Sequence, residues 1–309
     1  VDRLGVGGIG GMVNLVREAA GDRYQVTASA AMILCRQDDM CGGRSDDAER
    51  VSELQSILAD DGVAALVTIR GGAWFTRILD RIDFDVLARR RNTLHLFGFS
   101  EMTTLLDIAG MYPKVIALYD LGPAFLYGGL EDAVIREPSR YAHGGAVAPE
   151  QLAGFAAGYA AARYPVEFAA FFREVADILD GRGSPRIPSG ILLAGHLPPS
   201  QTIHITGGCL SVANALLGTP YANAIDTRGK WLALEDVNEA PDPLDRMMAA
   251  LKLNGMFERA KGVILGRFFD HRVDMSDAAF NILRHHLPAR RRLPVVRIEN
   301  FGHVYPIAP

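Results

Sequence analysis

The chain has 309 residues, 49% of them hydrophobic and 22% charged, which is typical of a soluble globular protein with two domains rather than one. Its formal net charge of −4 argues against nucleic acid as the main partner, and no apolar run is long enough to span a membrane. Three cysteines without C-x-x-C spacing, and no signal-peptide pattern at the start, predict a cytoplasmic location.

A glycine cluster, Gly5-Val-Gly-Gly-Ile-Gly10, matches the dinucleotide fingerprint G-x-G-x-x-G. Only four residues precede the cluster, whereas the fingerprint needs a complete strand there. The pattern therefore favours a glycine-rich turn that opens a helix over residues 12–20, and we expect no cofactor. A nucleotide-binding oxidoreductase is the alternative that this cluster leaves open.

The next elements begin an alternation of helix and strand. A helix with one apolar face is predicted to follow Ser45, an N-cap residue, and to end at Gly62. Residues 63–69 form a continuous apolar run that predicts a buried strand. The turn Gly71-Gly72 comes directly after this strand, and a short helix is predicted over residues 74–79.

A second apolar run, residues 94–97, predicts another buried strand. Gly98 then begins a sharp turn at Ser100, and residues 102–108 have helical apolar spacing. Because the carboxyl ends of parallel strands meet at one edge of a sheet, we expect Ser100 and the turn Gly71-Gly72 to lie at the same edge. The alternation predicts an α/β protein with a parallel sheet.

The pattern changes at about residue 130. We predict an N-terminal α/β nucleophile domain over residues 1–130, a helical insertion and linker over residues 131–189, and a C-terminal domain over residues 190–309. Within the last part, strands are predicted over residues 202–206, 231–234, 263–265 and 294–298, with helices over residues 210–217 and 244–253.

Three side chains that could together hydrolyse an acyl bond follow predicted strands. Ser100, Glu235 and His303 each come directly after one. A serine hydroxyl needs a histidine to accept its proton, and the imidazole needs a carboxylate to fix its tautomer. Each residue taken singly also has a simpler interpretation, namely a helix N-cap, an ion-paired carboxylate and a histidine bonded within its turn.

Short motifs strengthen the catalytic interpretation when they are taken in order. They are Arg70-Gly-Gly, Gly98-Phe-Ser-Glu-Met-Thr, Gly207-Gly208, Gly218-Thr-Pro, Leu234-Glu-Asp-Val, Leu244-Asp-Arg-Met-Met and Phe301-Gly-His. From about Arg44 to His303 the chain resembles the LD-carboxypeptidase family of serine peptidases, which also contains the microcin C self-immunity peptidase. The resemblance implies a Rossmann-like N-terminal domain and a C-terminal α/β or barrel-like domain, with the active site between them.

The resemblance also implies roles for particular residues. Ser100 would be the nucleophile, Glu235 the orienting acid and His303 the general base. The turn Gly71-Gly72 and the backbone N–H of Glu101 would form the oxyanion hole. No residue is expected to bind a metal, and the pair His285-His286 lacks the i, i+4 spacing of a helical zinc site.

Substrate contacts are expected at Arg70, Gly208 and Cys209. A guanidinium at Arg70, beside the oxyanion turn, could hold a substrate carboxylate through two hydrogen bonds. The chain departs from the family pattern at three positions: Glu101 replaces the usual aspartate, Cys209 an asparagine and Leu121 a histidine.

The function predicted from the resemblance is hydrolysis of an amide bond through an acyl-enzyme, with an LD-carboxypeptidase acting on muropeptides as the first expectation. An immunity-type or biosynthetic peptidase that cleaves an aminoacyl or peptidyl amide of an antibiotic is an alternative. The long segment between Ser100 and Glu235 favours that alternative to some extent. A catalytically silent peptide- or nucleotide-binding protein is an alternative of another class. The family implies a homodimer.

Overall fold

The computed structural model describes residues 8–28, 47–120, 122–123, 125–142, 147–183, 190–197, 203–271 and 273–303. The predicted N-cap Ser45, the first glycines of the amino-terminal cluster, Cys35, Cys41 and Leu121 lie outside these ranges.

The N-terminal part contains a three-stranded parallel sheet in the order β1–β2–β3. Its strands are β1 (Ala65–Val67), β2 (Leu94–Gly98) and β3 (Val115–Tyr119). Ala65 pairs with His95, and Leu94 pairs with Val115, so the three strands end at one edge. The predicted α/β class with a parallel N-terminal sheet is confirmed, and β3 is an additional strand that the sequence pattern did not predict.

Two helices pack beside this sheet, α2 (Asp47–Ala59) and α3 (Thr103–Ala109). Leu54 and Leu58, from the predicted apolar face of α2, are buried. The helix predicted over residues 74–79 instead begins at Thr76 and continues to Arg81 as a 3₁₀ helix. It begins later because Trp74 has a left-handed backbone with a φ of 62°, which no right-handed helix can include.

A separate group of helices consists of α1 (Gly8–Ala20), α4 (Phe125–Arg136), α5 (Pro138–Tyr141) and α6 (Leu152–Leu179). A cluster of buried side chains joins α1, α4 and α6: Met12, Leu126, Leu130, Ala160, Tyr164 and Phe168. Gly8 and Gly10 belong to α1 itself, so the described part of the glycine fingerprint is helical rather than a loop. None of the described helices combines the length and the apolarity that a bilayer crossing requires.

The C-terminal part contains a mixed sheet in the order β4–β9–β7–β6–β5, with β8 paired to β7. The pairs β5–β6, β6–β7 and β7–β9 are parallel, whereas β4 and β8 run antiparallel to their neighbours. The strands are β4 (Ile191–Ala194), β5 (Ile205–Cys209), β6 (Trp231–Val237), β7 (Gly262–Asp270), β8 (Val273–Asp274) and β9 (Val295–Arg297). The helices are α7 (Leu210–Asn214), α8 (Pro241–Leu253), α9 (Met256–Arg259) and α10 (Ser276–His286). Of the two alternatives for this part, the structure has the α/β one.

Two strands of this sheet differ from their predicted bounds near the site. The strand predicted over residues 202–206 is β5, which includes Gly207 and Gly208, both with positive φ. A Cβ atom at position 207 would lie 2.4 Å from the Ala233 carbonyl oxygen, so the neighbouring strand leaves room only for glycine. Glu235 lies within β6 rather than after it.

One continuous hydrophobic core joins the two sheets, with Leu96, Leu105, Leu234 and Leu265 among its buried members. The core holds α3 and the carboxyl ends of β2, β5 and β6 in contact. The boundaries at residues 130 and 189 stay predictions.

Candidate active site

Ser100 begins the turn that leads from β2 into α3. Its φ of 57° is left-handed, a conformation that costs a non-glycine residue about 1 kcal/mol and that recurs at functional sites. Residues Ser100–Met102 form one turn of 3₁₀ helix before α3. A Cβ atom at position 71 would lie 2.4 Å from the Ser100 Cβ. Glycine at position 71 therefore lets the Gly71-Gly72 turn contact the turn at Ser100.

Three side chains form a hydrogen-bonded line at this edge. The His303 Nε2 atom lies 2.8 Å from the Ser100 hydroxyl oxygen. The His303 Nδ1 atom lies 2.7 Å from Glu235 Oε2. If Nδ1 carries the proton and donates it to Glu235, Nε2 remains free to accept the hydroxyl proton of Ser100.

Glycines bring the acid and the imidazole together. A Cβ atom on Gly302, whose φ is 111°, would lie 2.8 Å from Glu235 Oε2, and one on Gly266 would lie 2.9 Å from the Glu235 Cβ. The pairing of β6 with β7 shifts register between Leu234 and Asp236, directly at Glu235. Such a bulge re-aims a side chain beside a site.

The carboxylate of Glu235 is fully buried, with 0% of its surface exposed, and it accepts three hydrogen bonds. The donors are the Tyr119 hydroxyl at 2.5 Å, the His303 backbone N–H at 3.2 Å and the His303 ring. Burial lowers the pKa of His303, but the charge and hydrogen bond of Glu235, with a smaller contribution from Asp236, outweigh it and raise the pKa above its ordinary value. The Phe99 ring packs against the His303 imidazole, with the two ring centroids 5.3 Å apart.

Tyr119 is a member of the site that the sequence analysis missed. Its hydroxyl accepts a hydrogen bond from the Ser100 backbone N–H at 2.9 Å and donates to Glu235. Burial is the main cause that raises its pKa far above the ordinary value, with the charge of Glu235 second. Tyr119 ends the apolar run Val115–Tyr119, so the strand-end argument that selected Ser100 could have found it.

The side chain of Glu101 holds the neighbouring glycine turn. Its Oε1 atom accepts hydrogen bonds from the backbone N–H groups of Phe75 at 2.7 Å and Thr76 at 3.0 Å. Gly72 has a φ of 88°. Among the described residues, the backbone N–H groups of Gly72 and Glu101 donate to no acceptor, so both are available to an anion.

The expected substrate contacts lie in different environments. Arg70 is exposed, and its side chain forms no hydrogen bond or ion pair in the described part of the chain. Cys209 is only 3% exposed, and its thiol contacts Ser211 Oγ at 3.4 Å and Asp236 Oδ1 at 3.7 Å. Burial raises the pKa of that thiol, so it is a poor nucleophile. Gly208 packs against the ring of Tyr119.

The other histidines that the structure describes lie outside this group. His286 is bonded through Nε2 to Asp245 at 2.8 Å, which links α10 to α8. Within the ranges that the structure describes, His, Cys, Asp and Glu side chains form no group of three or more that could hold a metal ion.

Two family models match the chain, in order. Residues 12–116 match the LD-carboxypeptidase N-terminal domain, and residues 203–309 match the LD-carboxypeptidase C-terminal domain. The first match contains Ser100 and the glycine turn, and the second contains Glu235 and His303.

A curated relative and two solved structures are similar to the chain. The protein named "Probable murein peptide carboxypeptidase" from Bacillus subtilis (strain 168) is 28% identical over 223 residues, and the match covers 72% of this chain but only 57% of that protein. The MccF-like protein of Bacillus anthracis str. Ames is 16% identical with a TM-score of 0.57, covering 98% of this chain and 86% of that one. MccF in complex with glutamyl sulfamoyl guanosine is 19% identical with a TM-score of 0.51, covering 84% and 74%. At these identities the two structures show a shared fold.

Proposed function

The chain belongs to the LD-carboxypeptidase family of peptidases, and from this premise we propose that it cleaves a peptide amide bond as a serine hydrolase, through an acyl-enzyme. The observation that carries the proposal is the line from Ser100 Oγ through His303 to Glu235, with separations of 2.8 Å and 2.7 Å. These distances are within the reach that a general base and its orienting acid require.

In the first step, Ser100 Oγ attacks the scissile carbonyl carbon while His303 Nε2 takes the hydroxyl proton. Glu235 keeps the Nδ1 proton directed towards itself and stabilises the imidazolium that forms. Because Glu235 is buried and already accepts hydrogen bonds from Tyr119 and the His303 backbone, its charge is oriented before the substrate arrives.

The carbonyl oxygen becomes an oxyanion in the tetrahedral intermediate. The N–H groups of Gly72 and Glu101 are the donors that we assign to it. Collapse of the intermediate breaks the C–N bond, and His303 passes its proton to the leaving amine. Water then attacks the ester on Ser100, again with His303 as base, and releases the acid product and the free hydroxyl.

We assign the substrate to the muropeptide class, with a terminal D-residue released from an L-centre. The name of the Bacillus subtilis relative and the family model both support a carboxypeptidase. A carboxypeptidase must recognise a free carboxylate, and the exposed guanidinium of Arg70 beside the Gly71-Gly72 turn is suited to bind one. The buried thiol of Cys209 supports a packing role rather than direct contact with substrate.

The test is labelling with a fluorophosphonate followed by peptide mass spectrometry, together with turnover of a muropeptide tetrapeptide to the tripeptide. We expect the label on Ser100, and we expect Ser100→Ala to lose both label and turnover by several orders of magnitude. Ser56→Ala is the matched control, because that exposed hydroxyl donates to the Ser52 carbonyl oxygen within α2 and bonds no other residue in the described ranges.

The other outcomes separate the alternatives. Cleavage of an aminoacyl sulfamoyl nucleoside with the muropeptide untouched would leave the serine mechanism standing and replace the substrate by that of an immunity-type peptidase. Absence of both label and turnover in the wild-type chain would overturn the proposal in favour of a catalytically silent binding protein.

A further inference from the structure

Both backbone polar groups of Ser100 are held by side chains. The Tyr119 hydroxyl accepts from the Ser100 N–H at 2.9 Å, and the Thr103 hydroxyl donates to the Ser100 carbonyl oxygen at 2.6 Å. Thr103 Oγ1 also accepts from the Cys209 N–H at 3.1 Å, which ties the nucleophile turn to β5. A left-handed backbone at a non-glycine residue persists only where its surroundings hold it, and these bonds are the restraint.

The direction of the Tyr119 hydroxyl follows from its two partners. The Ser100 N–H can only donate, so the phenol oxygen accepts from it. The phenol proton is then directed to Glu235 Oε1, 2.5 Å away, where the carboxylate can only accept. One hydroxyl therefore links the Ser100 backbone in the turn after β2 to the Glu235 carboxylate on β6.

The ring of Tyr119 is fixed in place by its neighbours. The Phe301 ring contacts it edge-to-face with centroids 5.4 Å apart. Gly208 also packs against the ring. A Cβ atom at position 208 would lie 2.3 Å from Tyr119 Cε2, so only glycine leaves room for the ring. The titratable groups that face Tyr119 are Glu235 on β6 and Cys209 on β5. Since burial keeps the phenol protonated, it remains a donor over the working pH range.

From this geometry we propose that Tyr119 is a positioning residue, whose hydroxyl couples the location of the Glu235 carboxylate to the backbone conformation of Ser100. The inference rests on the proposed function, because it assigns a role within the same hydrolytic site. Tyr119 does not touch the reacting atoms. It acts through the two groups that it joins, one from each sheet.

The test is Tyr119→Phe, which deletes one oxygen and keeps the ring. A hydrogen bond to a charged group corresponds to roughly a 10- to 100-fold effect, so we expect kcat to fall by about that factor. We expect KM to stay within about twofold, since substrate contacts are unchanged. Tyr112→Phe is the matched control, because the Tyr112 hydroxyl bonds the surface carboxylate of Asp85.

A pH profile separates this role from simple packing. In the proposed mechanism His303 must be neutral, and the Glu235 carboxylate already raises the pKa of His303. Without the phenol donor, more of the carboxylate charge acts on the imidazolium, so the acid limb of kcat/KM is expected to move to higher pH in Tyr119→Phe. Tyr112→Phe is expected to leave the limb in place.

The outcomes distinguish this inference from the proposed function. If the wild type turns over substrate and labels at Ser100 while Tyr119→Phe matches it in kcat and acid limb, the positioning role is wrong and the hydrolase assignment stands. If the wild type itself neither labels nor turns over, the proposed function fails. If Tyr119→Phe does not fold, the test uses a ring-fluorinated tyrosine at position 119 instead. That residue keeps the shape of the side chain and makes the phenol more acidic. An unchanged acid limb in that protein would equally refute the role.

Discussion

Removal of the Glu101 carboxylate is expected to loosen the turn beside Ser100. Its Oε1 atom accepts from Phe75 N–H at 2.7 Å, Thr76 N–H at 3.0 Å and the Thr76 hydroxyl at 3.2 Å. These bonds cap the 3₁₀ helix that begins at Thr76. A bond to a charged group contributes about 1.5–3 kcal/mol and a lost N-cap costs about 1 kcal/mol. Since Glu101 is partly exposed and one oxygen makes all three bonds, we expect Glu101→Ala to cost about 2 kcal/mol.

Native-state hydrogen exchange measures this cost locally. About 2 kcal/mol corresponds to roughly 30-fold faster exchange of the Phe75 and Thr76 amides, if the turn opens independently of the core. Glu101→Gln keeps an acceptor oxygen and is expected to accelerate exchange several-fold less. Thr76→Ala loses only the longest bond and is expected to change exchange least. Amides at Phe75 and Thr76 that exchange at the wild-type rate in Glu101→Ala would refute the capping role.

Three further predictions concern buried charges. In the proposed mechanism His303 must be neutral to act as the base, and its pKa is raised, so activity should fall with decreasing pH through a midpoint above about 6.5, which a kcat/KM profile measures. Burial raises the pKa of Asp107 to about 7, against the opposing bonds from Gly207 N–H and Thr206, so the folded state binds a proton that the unfolded state releases near pH 4. The contribution of Asp107 to stability should therefore decline from pH 4 to pH 7. In urea unfolding, the free energy of unfolding of Asp107→Asn should rise relative to that of the wild type over that interval; parallel pH curves would contradict this. Arg90, 5% exposed, donates to the carbonyl oxygens of Leu58 in the last turn of α2 and of Asp60 and Val63 beyond that helix. Arg90→Met should cost about 3 kcal/mol in urea unfolding, with Arg90→Lys intermediate and a loss under 1 kcal/mol counting against the capping role.

The sequence predicted those parts of the fold in which several local signals agree. Around Ser100, an apolar run, a glycine and a helical period follow one another, and the structure has β2, a turn and α3 there. Strand β3 was missed although Val115–Tyr119 is an apolar run as long as β2, so the sequence carried the signal and the omission was not imposed by it. Missing β3 also meant missing Tyr119.

Long-range contacts account for the remaining differences. The predicted strand ends at residue 206, yet Gly207 and Gly208 continue it as β5. The Ala233 carbonyl and the Tyr119 ring lie so close to them that a side chain at either position would clash. The carboxylate of Glu101 finds its partners 25 and 26 positions earlier in the chain. Local sequence patterns carry no information about contacts between residues that are far apart in the chain. These contacts are defined only by the packing of the folded molecule.

The 203 positions that separate Ser100 from His303 have a consequence during synthesis. At about 5–20 residues per second, a ribosome needs roughly 10–40 s to pass from one to the other. Throughout that interval the emerging polypeptide carries Ser100 but lacks the histidine that we propose as its base. On the proposed mechanism, the hydroxyl would therefore become reactive only after both sheets have docked.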